Sequence, residues 1–157
     1  YVLALNWNDF IDPKLIDSYI SCHPHKILGS LEHAKLTERP IITPVALLTK
    51  NSAHQADNSQ VRNYGVRVVN GSLADKGNYC EIPTMASIAY ALAVSTSNST
   101  KRIFLAGFDG KFRNTSKFQE TENIFKYFCA LHPNISLISL TNTDYSVKSQ
   151  SIYGVVD

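Results

Sequence analysis

The sequence lacks the usual marks of phosphate and hydrolase chemistry. It contains no GxGxxG, no GxxxxGK[ST] and no GxSxG, so no dinucleotide fingerprint, P-loop or nucleophile elbow is written in the chain. Cysteine is scarce. Cys22, Cys80 and Cys129 are odd in number and have no CxxC spacing, which argues against a zinc site or a disulfide framework. Their apolar neighbours fit reduced, buried thiols in a cytoplasmic protein. No apolar run reaches the roughly 18 residues of a membrane span. Charge is sparse too, at 18%, and the net value of +2 is too small to argue for nucleic acid or a membrane surface as partner. No carboxylate pair stands out as a general acid and base, and there is no internal repeat or linker.

What the chain does have is enough apolar material for a core. With 157 residues and 44% hydrophobic content it fits a single domain, residues 1–157. It opens inside an apolar run, YVLALN, which leads us to expect an excised carboxyl-terminal piece of a longer protein. The organising stretch is Glu81 to Gly110. Ala86 to Val94 is alanine-rich and almost wholly apolar, as a helix buried on all sides would be. Thr84 is placed to cap it and Pro83 to block an earlier start. Arg102 to Phe108, RIFLAGF, reads as a central parallel strand covered on both faces, ending at Asp109-Gly110.

The remaining elements follow from local signals. Tyr1 to Asn6 is a strand. Asp12-Pro13 opens a short helix, with Asp12 as cap. Ser18 to Cys22 is a strand, and His23-Pro24-His25 a turn. Gly29 to Arg39 is a weak helix. Ile41 to Leu48 is a strand broken by Pro44, which suggests an edge position or a bulge. Thr49 to Gln60 is a polar loop or poorly formed helix, Tyr64 to Val69 a strand, and Asn70 to Tyr79 a loop hinged at Gly71 and Gly77. Lys117 to Leu131 is amphipathic: Phe118, Ile124, Phe125, Phe128 and Leu131 form the apolar stripe, while Gln119, Glu120, Glu122 and Lys126 face out. His132-Pro133-Asn134 stops it. Ile135 to Leu140 is a strand, Thr141 to Ser151 a long polar loop, and Ile152 to Val156 a short apolar end. Strands alternating with helices imply an α/β fold, a three-layer Rossmann-like sandwich with a mainly parallel sheet.

In such a fold ligands bind outside the carboxyl ends of the strands. Asn6, His23, Asp109, Thr141, Asn142 and Thr143 fall at those ends. Hydroxyls and carboxylates there suit sugar or ribose oxygens, and backbone N–H groups suit an anion. The site expected is therefore one for a nucleotide, nucleotide-sugar or sugar phosphate. Asp109-Gly110 is equally a turn signal. Lys111 and Arg113 could meet a phosphate, although a solvated basic loop is commoner. Tyr145 and Tyr153 could stack on a base, although burial is the commoner fate. The HxH of His23 and His25 has no third ligand nearby, so we expect no metal there.

Three phrases carry a family resemblance: ALNWNDFIDPKLIDSYISCHP, IPTMASIAYALAVSTSNSTKRIFLAGFDG and ISLISLTNTDYSVKSQSIYG. Together they resemble the carboxyl-terminal Rossmann-like domain of 4-hydroxy-2-oxovalerate aldolase and HMG-CoA lyase-like proteins from bacterial surface-polysaccharide clusters. Leu28 to Tyr79 matches poorly. The middle phrase also resembles sialyltransferase-like glycosyltransferase domains, where a small-residue helix leads to a strand ending in Gly-x-Asp, here Gly107-Phe108-Asp109. The resemblance implies an accessory domain of an aldolase-type lyase, with an upstream barrel of the same protein as partner. Any divalent metal would belong to that barrel, and no cofactor to this piece. It marks Asn6, His23, Gly107, Asp109, Gly110, Thr141, Thr143 and Tyr145 as the ligand-binding positions. The alternatives are a glycosyltransferase-like catalytic domain using a nucleotide-sugar donor, with Asp109 or His23 as acid or base, and a scaffold for homo-oligomers.

Overall fold

The computed structural model describes residues 1–7, 10–48, 60–96 and 99–154, with side chains described for all of these except 30 and 32–35. The chain is α/β with mainly parallel pairing, as expected. Its contacts fall into two compact units, Tyr1–Val94 and Ser95–Asp157.

The first unit begins with β1 (Leu3–Leu5), β2 (Ser18–Ile20), α1 (Pro24–Thr37) and β3 (Ile41–Thr43). After a stretch outside the described residues comes β4 (Val61–Asn63). These strands form one all-parallel sheet in the order β1-β2-β3-β4. The segment opened by Asp12 is a single 3-10 turn, Pro13–Leu15, with the Asp12 side chain accepting from the Lys14 amide. Helix α1 starts earlier than Gly29. Pro24 takes the first helical position, where its missing N–H is no loss, and His23 caps it through the backbone. Ala4, Ile16, Tyr19, Ile27, Leu31, Ile41 and Leu48 make one continuous core under this sheet. Pro44 neither bulges β3 nor sends it to an edge. The strand ends one residue before it and a 3-10 turn, Val45–Leu47, follows, so an interior strand survives by being short. Of Thr49 to Gln60, read as a polar loop or poorly formed helix, residues 49–59 lie outside the described residues.

A second sheet completes this unit. Strands β5 (Gly65–Val68), β6 (Ala74–Asp75) and β7 (Tyr79–Ile82) pair in the order β5-β7-β6, with β6 antiparallel. The loop expected over Asn70 to Tyr79 thus contains β6 and the start of β7, and its two glycines do take positive φ, 84° at Gly71 and 91° at Gly77. Helix α2 (Ser87–Val94) packs on β7, β1 and β6, with every residue from Ile88 to Ala93 buried. The alanines let the helix approach closely, and each fully buried Ile or Leu adds about 1.5–3 kcal/mol of apolar transfer. Tyr90 is the polar exception. It is fully buried, and its hydroxyl donates to the Tyr64 carbonyl at 2.6 Å. Burial holds the Tyr90 and Tyr64 phenols well above their ordinary range. Burial, with the Cys22 and Asp75 charges adding to it, pushes the Cys80 thiol up to about 12. Cys22 and Cys80 are buried as expected, whereas Cys129 is exposed.

The second unit holds β8 (Arg102–Leu105), α3 (Ser116–Leu131), β9 (Ser136–Ser139) and β10 (Lys148–Ser149). They form a parallel sheet, β10-β9-β8. Strand β8 was expected to be central and covered on both faces. It is the edge strand of this sheet, four residues long, with Arg102 exposed and Phe104 at 37% exposure. Its run of apolar letters continues past the last ladder pair, Leu105 with Ser139. Helix α3 matches its reading closely. Thr115 accepts from the Phe118 amide as a side-chain cap, and Phe118, Ile124, Phe125 and Phe128 are buried. Leu131, assigned to the stripe, is instead 42% exposed.

Gly65 stands where the first sheet hands over to the second. A Cβ there would lie 2.8 Å from the Tyr79 Cβ on the paired strand. Gly65→Ala is therefore expected to destabilise the protein by about 1–3 kcal/mol. A thermal melt, which moves about 2–4 °C per kcal/mol at this size, checks it.

Candidate functional site

The carboxyl ends of β8 and β9 emerge on one rim because the two strands are parallel. Two loops leave that rim, 106–115 towards α3 and 140–147 towards β10. Three hydrogen bonds to backbone groups stitch them together, and a fourth lies within the second loop. The Gly107 amide donates to the Thr141 hydroxyl at 3.1 Å. The Thr143 hydroxyl donates to the Phe108 carbonyl at 2.5 Å and accepts from the Tyr145 amide at 3.2 Å. The Asp144 amide donates to the Asp109 carbonyl at 2.9 Å. Thr is suited to this position because one hydroxyl both gives and takes a bond.

Between the loops lies an open depression of about 420 Å³, lined by Asp109, Lys111, Asn142, Thr143 and Asp144. A second of about 410 Å³ is lined by Lys111, Phe112, Arg113, Asn114, Thr115 and Asp144. They share Lys111 and Asp144, so they form one groove with two lobes. The Lys111 ammonium lies 3.5 Å from the Asp109 carboxylate, and the Arg113 guanidinium is bonded to Asp144. That bond holds the Asp144 carboxyl below the usual carboxylate range. Both pairs are exposed, so each contributes little to stability. Their role is rather to leave carboxylate, ammonium and guanidinium groups facing solvent along one groove.

Gly110 and Tyr145 line neither lobe and pack instead against α3. Gly110 has φ of 72°, and a Cβ on it would meet the Phe118 ring at 3.0 Å and Asp144 at 3.1 Å. A left-handed backbone with no space beside it explains why glycine stands here. The Tyr145 ring stacks on Phe118 at 4.6 Å and meets Phe125 edge-on at 5.2 Å. It is committed to packing against α3 and is not a platform for a base. Tyr153 is 90% exposed.

Six of the eight positions marked from sequence, Gly107, Asp109, Gly110, Thr141, Thr143 and Tyr145, thus build this one rim. Asn6 and His23 belong to the first unit. Asn6 ends β1 in the left-handed region, φ 57°, which asparagine tolerates better than most residues. Its side-chain oxygen accepts from Ser21 at 2.9 Å and from Ser87 at 3.4 Å. Ser87 is the first residue of α2, so Asn6 links the ends of β1 and β2 to that helix. The His23 and His25 rings lie 5.8 Å apart at the start of α1. Among the described residues no three His, Cys, Asp or Glu side chains are grouped to hold a metal ion, and no helix is long and apolar enough to cross a membrane.

Sequence reasoning missed Asp144, which looked like one polar letter in a polar loop. It also placed Glu122 on the solvent face, and this is corrected. Glu122 is 5% exposed. Its carboxylate accepts from the Ser146 amide at 2.9 Å and meets the Lys126 ammonium at 2.9 Å. Helical spacing gives the direction of a side chain, not the loop that comes to lie over it.

Compared with known proteins, the chain matches no family model, no curated protein and no solved structure.

Burial pushes the Glu122 carboxyl up, but the bonds from Ser146 and Lys126 outweigh it and hold it below its ordinary range. A depressed carboxyl stabilises above its unfolded pKa, about 4.3 for glutamate, and that contribution is lost as pH falls through the lower folded value. Melting temperature measured from pH 6 down to pH 3 is therefore expected to fall less steeply in Glu122→Gln than in the native chain.

Proposed function

We propose that this chain is a binding module for a phosphorylated sugar, carried as a nucleotide-sugar or a sugar phosphate, with the groove of the second unit as its seat. The observation that carries the reading is the groove's division of chemistry. One lobe offers Asp109, Asn142 and Thr143, the acceptors and donors that sugar hydroxyls pair with, and Asp144 lines both lobes. The other offers Arg113, Asn114 and Thr115, with an exposed Phe112 at its lip. Lys111 stands between them, where a phosphate would join the two halves. Guanidinium and ammonium groups are the usual partners of phosphate oxygens. Phe112 is 75% exposed, and its ring face would suit a nucleobase.

On the resemblance to aldolase-associated domains, the module would serve a lyase of surface-polysaccharide sugar metabolism, in the cytoplasm. Catalysis by Asp109 has no observation of its own in support. Its carboxylate is half-exposed and paired with Lys111, without a second acid or base aligned on it among the described contacts.

The test is a thermal shift against CMP, UDP and their sugars. A ligand held at 100 times its dissociation constant adds about 2.7 kcal/mol, a shift of several degrees. Asp109→Ala is expected to abolish the shift while leaving the unliganded melting point nearly unchanged, because the bond that ties Asp109 to Asp144 uses the backbone carbonyl. Silence across the panel overturns the reading. A large drop in the unliganded melt would mark Asp109 as a turn residue instead.

A further inference from the structure

The loop that lines the groove is fixed at its near end by Thr141, Thr143 and Asp144, all bonded to the loop after β8. Its far end, where the chain turns back into β10, is fixed differently. There the Ser146 amide donates to Glu122 at 2.9 Å. Glu122 sits two turns into α3 with its side chain 7% exposed, and the Lys126 ammonium one turn on closes its other oxygen at 2.9 Å. Nearly buried glutamates are uncommon unless paired, and this one is paired to the Lys126 ammonium and to Ser146 of the loop. Removing the carboxylate takes away the protein acceptor that ties the Ser146 amide to α3.

We propose that Glu122 is the positioning residue of the groove: it clasps residues 141–147 to α3 and so holds Asn142, Thr143 and Asp144 in the geometry that receives the ligand. This rests on the reading of the groove as a ligand seat, but the clasp itself can be tested without a ligand. The clasp is not part of the lining, since Glu122 lines neither lobe. It acts through the loop. Tyr145, which also lines neither lobe, supports the same division. Tyr145, next to Ser146, is stacked on Phe118 and edge-on to Phe125, so the helix that carries Glu122 also grips the neighbouring ring. The ring contact sets the distance of the loop from α3. The carboxylate sets its register, because a hydrogen bond is directional and a ring stack can slide.

The experiment is amide hydrogen exchange on the intact chain, read at residues 141–147, in the native protein, Glu122→Ala and Glu122→Gln. A charge-assisted bond contributes about 1.5–3 kcal/mol, so Glu122→Ala is expected to speed exchange at Ser146 by about tenfold or more. Glu122→Gln keeps an acceptor in place and is expected to restore most of the protection. Isothermal titration with UDP-glucose, and with CMP-sialic acid, is expected to show binding weakened about tenfold in the Ala variant and largely recovered in the Gln variant. Unchanged exchange at Ser146 in Glu122→Ala overturns the proposal. So does a rise spread evenly over α3 and β9, which would mark a core defect rather than a released loop. If the native chain binds neither probe, the binding reading fails, and the exchange result still decides whether Glu122 clasps the loop.

Discussion

The parallel register of β8 and β9 is the constraint on which the second unit depends. Pairing Arg102 with Ser136 and Leu105 with Ser139 makes both strands finish on the same rim. Two antiparallel strands would have sent these loops to opposite ends. The link between them must then be a crossover, and α3 supplies it with a buried stripe of Phe118, Ile124, Phe125 and Phe128. Everything in the groove follows from that geometry. The loops are close enough to exchange backbone and hydroxyl bonds, and their charged side chains are left outside.

The first unit uses polar groups inside its core sparingly and gives several of them partners. The Tyr90 hydroxyl reaches a carbonyl and Ser21 reaches the Asn6 amide oxygen. Asn6 pays for its left-handed backbone by tying two strand ends to the start of α2. Helix α2 is short, eight residues, and far below the length at which a helix is stable alone. Its stability comes from lying against β7, β1 and β6, which is why its sequence could afford no polar face.

Much of this was legible in the sequence, and the failures have physical causes. The strongly periodic α3 was found, because the aromatic stripe and His132-Pro133 are local signals that tertiary context did not override; its cap, Thr115, was not read from the sequence. The α/β class was legible for the same reason. Strand β8 was misplaced because a run of apolar letters measures burial, and RIFLAGF mixes a short edge strand with the turn that follows. The pieces β4, β6 and β10 were missed because two or three residues carry no period. Asp109, Thr141 and Thr143 were read from strand ends, and Gly107, Gly110 and Tyr145 from the resemblance; all six lie on the loops that follow β8 and β9. Asp144 and Glu122 were not found, since a loop folding over a helix leaves no mark in either segment.

Tyr64 lies between β4 and β5. Its amide completes the ladder with the Thr43 carbonyl, and the next amide, that of Gly65, opens the second ladder with the Asn78 carbonyl. Consecutive peptide groups therefore serve consecutive sheets, with no spare residue between them. Side chains alternate in direction along a strand, so gaining or losing one residue at this hinge would turn Val66 and Val68 to the opposite side of their sheet. A change of chain length must be absorbed elsewhere, and the junction acts as a fixed ruler mark in the chain.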